Sequence, residues 1–140
     1  LYAVIYHRNH LAVMSSAGLT DGDSDGVYEY DFSTGSGKAW QDGTITNNTA
    51  MKDLTGAFGL WEGDANGDGT VTYTGSGNDK NAILTEVGLA DPTAKPTGYS
   101  SNDVNMDGVI AYTGSGNDKN TVLGVVGLAD PTKVIYLHLP

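Results

Sequence analysis

Two stretches, DANGDG at residues 64–69 and DVNMDG at residues 103–108, set oxygen-bearing side chains at every second position and end on glycine. In such a turn alternate side chains point inward, and the glycine permits the sharp bend that follows. Asp64, Asn66 and Asp68, with the carbonyl of Thr70, would supply the oxygens of one site. Asp103, Asn105, Asp107 and the carbonyl of Val109 repeat the set. An all-oxygen cage suits a hard cation, and calcium, which takes 6–8 oxygens, better than the smaller magnesium.

In the standard loop a bidentate acid closes the site at the twelfth position. Here that position is Gly75 or Gly114, and the next acids, Asp79 and Asp118, lie 79 − 64 = 15 and 118 − 103 = 15 residues beyond the first ligand. Four extra residues within YTGSG account for the delay. They are small enough to bulge outward while Asp79 and Asp118 enter from the first turn of a helix. Both copies carry the same insertion, which points to a working variant and not to damage.

A third stretch, DGDSDGV, offers Asp21, Asp23 and Asp25, with Gly26 as pivot and the Val27 carbonyl as a further donor. No helix follows it, so closure would fall to Glu29, Asp31 or a distant residue. An acidic hairpin turn is the competing reading, because Asp, Asn and Gly favour turns for local reasons. The same alternative applies to each duplicated loop taken singly, but not easily to two at matched spacing, each followed by an apolar helix.

The elements that hold these loops repeat with them. Residues 73–93 and 112–132 align at an offset of 112 − 73 = 39, and 17 of the 21 positions are identical. Mismatches respect chemistry: Ile83 aligns with Val122 and Val71 with Ile110, as expected of a duplicated loop and helix. Helices are predicted over 78–87 and 117–126, capped by Asn78 and Asn117 and stopped at Gly88 and Gly127. Ile83, Leu84 and Val87, and likewise Val122, Leu123 and Val126, form apolar stripes, and ADPT ends each unit. Helices this short bury little alone, so they should pack on each other and on the first half.

That half reads as β structure. LYAVIY, HLAVM, VYEYDF and AFGLW are short strand-like runs between Gly, Ser, Asp and Asn clusters. In VYEYDF, Tyr28, Tyr30 and Phe32 share one face, the pattern of a half-buried strand. KVIYLHLP alternates too, with Ile135, Leu137 and Leu139 on one side. The expected fold class is α+β. A small antiparallel β domain (1–62) would pack with the duplicated calcium loop-helix pair (63–133), and a terminal strand (134–140) would return to the β part.

Bulk properties narrow the function. A chain of 140 residues suits one domain, or two lobes sharing a core. The formal net charge of −10 repels nucleic acid and anionic membranes, and no apolar run approaches the roughly 20 residues that span a bilayer. Cys 0 removes disulfides, thiolate zinc sites and cysteine nucleophiles. Gly 20 favours turns and short elements. The start at Leu1, without Met and without a charged-then-apolar leader, suggests a processed product or a piece of something longer. Across the three loops, nine of the 17 acidic residues would be ligands and would repel one another without metal. A site with a dissociation constant one hundredth of ambient calcium would add about 2.7 kcal/mol. Extracellular fluid, often millimolar in calcium, is the natural setting.

Other chemistry-bearing groups fit less well. GSGK at 35–38 has Phe32 where a phosphate loop needs glycine and Ala39 where it needs Ser or Thr. His7 and His10 of HRNH would face opposite sides of a strand and lack a third zinc ligand, so a hydrogen-bonded role at a strand junction is expected. His138 offers less still. Ser15 and Ser16 lack a nucleophile elbow, and the best-placed carboxylates are claimed by metal, so no enzyme is expected. Asn47 is a formal glycosylation acceptor. Trp40 and Trp61 could stack on a sugar but suit a small β core better.

The paired units, on DANGDGTV with Asp79 and DVNMDGVI with Asp118, resemble the type I dockerin repeat of cellulosome proteins, in which two calcium loops each precede a helix. The YTGSG insertions depart from that pattern near the positions where dockerins carry cohesin-recognition residues. HRNHLAVMS, YDFS, LWEGDANGDG and DVNMDG together resemble the C-terminal region of large secreted or surface proteins of Bacteroidota. That resemblance implies export to the cell exterior, with the type IX pathway as the route it suggests. The resulting expectation is a non-catalytic, calcium-stabilised structural and assembly module of an extracellular bacterial surface or fibre protein. LYAVIY and VIYLHL are candidate strands for pairing between copies. The alternative is a binding module for a cohesin-type receptor or a glycan.

Overall fold

The computed structural model describes residues 1–140 throughout. The first part opens on a hairpin of β1 (Val4–His7) and β2 (His10–Met14), antiparallel, with Ile5 opposite Val13 and His7 opposite His10. β1 is exposed along its length, whereas Leu11, Ala12 and Val13 of β2 are buried, so the inner strand alone carries core. A single 3-10 turn (Ser36–Lys38) follows, and β3 (Lys52–Asp53) with β4 (Phe58–Gly59) makes a second two-stranded sheet.

VYEYDF is not the half-buried strand its alternation predicts. Only Glu29 bridges, to Thr20, and Tyr28 is 52 % exposed. Tyr30 and Phe32 still tuck in, stacked edge to face with centroids 4.8 Å apart. The run ends at Asp31, whose Oδ1 accepts the Ser33 amide and hydroxyl and bends the chain into a turn. AFGLW likewise keeps only Phe58–Gly59 as strand.

The second part holds β5 (Thr70–Thr72), α1 (Asp79–Val87), α2 (Asp118–Val126) and β6 (Val134–Tyr136). Asn78 and Asn117 cap the helices by accepting the Asn81 and Asn120 amides. Gly88 and Gly127 end them at φ 111° and 112°, a backbone region open chiefly to glycine, and donate back to the Leu84 and Leu123 carbonyls. Ile83, Val87, Val122, Val125 and Val126 bury one common face with Val71, Val104, Ile110 and Ile135. Of the expected stripes, Leu123 packs at its margin and Leu84 is half-buried.

The two units interlock by exchanging their tails. β5 pairs with β6, Val71 opposite Ile135, and the Leu137 amide donates to the Gly69 carbonyl at 3.0 Å. In the other unit Thr97 bridges to Val109, Ile110 donates to the Pro96 carbonyl at 2.8 Å, and Gly98 to the Gly108 carbonyl at 3.2 Å. Adding the repeat offset, 96 + 39 = 135 and 98 + 39 = 137, so equivalent residues make equivalent contacts. The segment after each helix thus lines the loop exit of the other unit. Pro96 stands where Ile135 does and lacks an amide donor, which limits the second pairing to one bridge. Thr74 to the Pro131 carbonyl and Thr113 to the Pro92 carbonyl repeat the exchange.

β6 joins both parts of the chain. One edge pairs with β5; along the other, Asn48 exchanges two hydrogen bonds with the Tyr136 backbone, and Asn47 donates to the Val134 carbonyl. His138, 2 % exposed, accepts the Asp42 amide on Nδ1 and so donates from Nε2 to the Asn48 carbonyl. The return to the first part is therefore made by side chains, and β6 offers no open edge. Leu11 of β2 enters the main core and Trp61 packs on it, so the two parts share one interior. A second cluster, Val13, Ala39, Ala50 and Met51, supports the first part alone. The architecture is α+β: two helices and three small antiparallel sheets.

Candidate metal centres

All three acidic loops adopt one local geometry. In the first, Asp64 accepts the Asp68 amide on Oδ1 at 3.0 Å and the Gly69 amide on Oδ2 at 3.1 Å, while Asp68 accepts the Thr70 amide at 2.9 Å. In the loop at Asp21 the corresponding bonds run from Asp25 and Gly26 to Asp21, at 3.1 and 2.9 Å, and from Val27 to Asp25, at 2.7 Å. In the third, Gly108 donates to Asp103 Oδ2 at 3.1 Å and Val109 to Asp107 Oδ1 at 2.9 Å. Each carboxylate thereby draws the chain around itself, an arrangement that needs only residues two to five apart.

Asn66 and Asn105 add a cross-brace. Their side-chain amides donate to Asp68 and Asp107, and also to the Gly77 and Gly116 carbonyls at 2.6 and 2.7 Å. The inserted residues 74–77 and 113–116 otherwise lie largely at the surface. Their outward bulge returns the chain to Asp79 and Asp118, the first residues of α1 and α2, both 0 % exposed.

Asp79 and Asp118 close the loops onto the backbone. Asp79 Oδ1 accepts the Ala65 and Asn66 amides and Oδ2 the Thr72 amide at 2.7 Å. Asp118 does the same with Val104, Asn105 and Ala111. A carboxylate has about four acceptor positions, so Asp118 retains about one for an ion, whereas at Asp79 the Thr72 hydroxyl approaches the fourth at 3.5 Å. Burial pushes the Asp79 carboxyl up to about 6, despite the Thr72, Asn66 and Ala65 amides that favour its charge. Burial raises Asp64 and Asp118 as well. A bound cation would act in the opposite direction on each.

The loops differ in how far their acids converge. Asp21, Asp23 and Asp25 are the one group of three acidic or imidazole side chains whose ligand atoms all lie within 4.8 Å, so this triad could hold a metal ion. A cleft of about 380 Å³ opens beside it, lined by Asp23, Asp25, Val27 and Glu29. Of the acids expected to close this loop, Glu29 reaches the cleft and Asp31 is occupied with Ser33. Val27 is 55 % exposed and its amide serves Asp25. In the duplicated loops an asparagine replaces the middle acid, and the closing aspartate is drawn to backbone amides. Thr70 opens β5 and gives both amide and hydroxyl to Asp68, while Val109 sits at the bridge to Thr97.

The HRNH turn carries a role its sequence does not advertise. His7 and His10 do not face opposite sides: the strand ends between them, and their rings meet edge to face at 4.4 Å as a cross-strand pair. Asn9, 1 % exposed, ties the two loops together. Its carbonyl accepts the Gly63 and Asp64 amides, and its side chain donates to the Asp103 carbonyl at 2.6 Å. Gly63 (φ 116°), whose amide goes to Asn9, is packed on Val71, where an added Cβ would meet Cγ1 at 2.6 Å. Arg8 reaches Asp103 Oδ2 at 3.1 Å and lies over the Tyr99 ring at 4.3 Å. The available signal was positional, two polar residues at the tip of a hairpin.

Two other candidates resolve into structure. Trp61 Nε1 donates to the Thr49 carbonyl at 2.7 Å while the ring packs on the core. Ser15, fully buried, donates to the Ala17 carbonyl and accepts the Ala3 amide. Comparison with protein-family models, curated proteins and solved structures finds no match to this chain.

Proposed function

We propose that the chain is a non-catalytic structural module of an extracellular assembly, in which calcium capture completes the fold. The observation that carries this reading is Asp103 Oδ1. It is a buried carboxylate oxygen with no hydrogen-bond partner, in a loop where Asn105 Oδ1, Asp103 Oδ2 and Asp107 Oδ1 each accept a backbone amide; Asn102 Oδ1 and Arg8 Nε beside it are likewise buried and unpartnered. Its counterpart Asp64 Oδ1 faces the Asp68 amide, which sets this atom on the loop side. A buried oxygen without a donor is costly unless a donor or a cation satisfies it, and a cation fits an oxygen that shares its loop with other acidic side chains.

Asp64, Asn66, Asp68 and Thr70 would hold one ion, with Asp79 closing the loop from the start of α1. Asp103, Asn105, Asp107, Val109 and Asp118 would hold the second, and Asp21, Asp23, Asp25 and Val27 a third. Only oxygens are on offer, from turns able to adjust, which favours calcium over magnesium. The likeness of the loops to dockerin repeats supports the same choice, and the acidity of the chain suits a calcium-rich exterior. Assembly would use β1, whose outer edge has no strand neighbour and whose Val4, Ile5 and Tyr6 are exposed.

Calorimetric titration with calcium, beside thermal unfolding with and without chelator, tests the reading. Uptake of two or three ions and a lower melting temperature in EDTA are expected. Absence of uptake, with unchanged unfolding in EDTA, would overturn it. Sedimentation across concentration tests the assembly step: a monomer at high concentration with calcium present counts against β1 pairing.

A further inference from the structure

The two duplicated loops differ in one charge. Asp64 has no cation within salt-bridge distance, whereas the equivalent Asp103 carries Arg8. The pair is well enclosed, with side-chain exposures of 18 % and 3 %. Arg8 is fixed there from two sides. Tyr99 lies against its guanidinium at 4.3 Å, and Asn9, the next residue, is bonded to the Asp103 carbonyl. One terminal nitrogen of Arg8 takes Asp103 Oδ2 beside the Gly108 amide, and Asp103 Oδ1 and the Arg8 Nε are both left buried without a partner.

We propose that Arg8 is a resident counter-cation of the second loop and sets its affinity for a divalent cation below that of the first. This rests on the calcium reading above. The guanidinium is bonded to one oxygen of a carboxylate whose other oxygen faces the ion, so it lies a few ångströms from a second positive charge. Without metal it neutralises Asp103; with metal it repels the newcomer. Both effects lower affinity, and they give the protein a loop that fills first and a loop that fills later. The second step also bears on the hairpin, because Arg8 and Asn9 belong to the turn that docks on both loops.

The test is calcium titration of the full chain in a background carrying Asp23→Ala and Asp68→Ala, both surface ligands, so that the second loop is the remaining site. Arg8→Gln in that background should tighten calcium binding about tenfold, the scale of one charge acting on a divalent ion at this range in a medium of intermediate dielectric. Arg8→Lys, which keeps the charge, should bind as the background does. Without metal, Arg8→Gln should lower the melting temperature, since it strands a buried carboxylate. If it fails to fold, Tyr99→Leu, at a residue 85 % exposed, should shift affinity the same way by less. Unchanged or weaker binding in Arg8→Gln or, failing that, in Tyr99→Leu overturns the inference. Calcium uptake by the wild type but not by the background overturns it while sparing the first loop. No uptake by any chain removes the calcium reading itself.

Discussion

The loop at Asp21 and the loop at Asp64 make the same turn and have different fates. Their carboxylate-to-amide bonds correspond one for one, yet the first stands in solvent, whereas the second has its leading Asp64 buried and is closed by an aspartate at the start of a helix. Glycine at the sixth position and acids at alternate ones are enough for the turn. Enclosure needs Asp79 or Asp118, a buried carboxylate that gathers three amides from both ends of its loop. A loop can therefore be ready for an ion without being part of the fold, and that separation can be tested.

The largest effect should come from the closing aspartates. Asp79→Ala or Asp118→Ala leaves three amides without their acceptor and should cost about 3–5 kcal/mol in chelator, measured by urea unfolding. Equal melting of these variants and the wild type would erase the contrast with the Asp21 loop. Asn9→Ala should come next, at about 1–3 kcal/mol, because it removes a buried donor from the Asp103 carbonyl. Amide exchange should then quicken in the second loop more than in the first, whose bonds go to the Asn9 backbone.

The hairpin should respond to acid. Burial, with His7 adding, lowers His10 from 6.5 to about 4. The folded form therefore binds fewer protons than the unfolded one between these values. Its contribution is complete above pH 6.5 and is lost as pH falls towards 4. Discounted for partial exposure, the loss is about 1 kcal/mol, and chemical denaturation at pH 7 and pH 4.5 should lose that part of its difference in His10→Gln. Asp23→Ala should change metal-free stability least, by under about 0.5 kcal/mol, while lowering the calcium count by one. A large loss of metal-free stability there would show the Asp21 loop to be built into the fold after all.

Much of the site was legible in the sequence because its bonds are short-range. Asp64 to Gly69 and Asn78 to Asn81 lie within five residues, and the repeat pointed to Asp79 and Asp118 as closing acids. The manner of closure was not legible, since it depends on which amides lie buried beside the carboxylate. VYEYDF misled because alternation describes a face and not a partner. Asp31 gave its oxygen to Ser33, and no strand lay alongside.

Composition and spacing by themselves determined the turns, the helix starts and stops, and the duplication, all of which are settled within one turn of chain or by aligning it with itself. Tertiary structure alone decided that the units exchange tails, that Asn9 spans both loops, and that Arg8 sits on Asp103 and not on Asp64. Arg8 and Asp103 are 95 residues apart. Contacts at that separation are fixed by how a shared core brings surfaces together, and a local pattern carries no record of it.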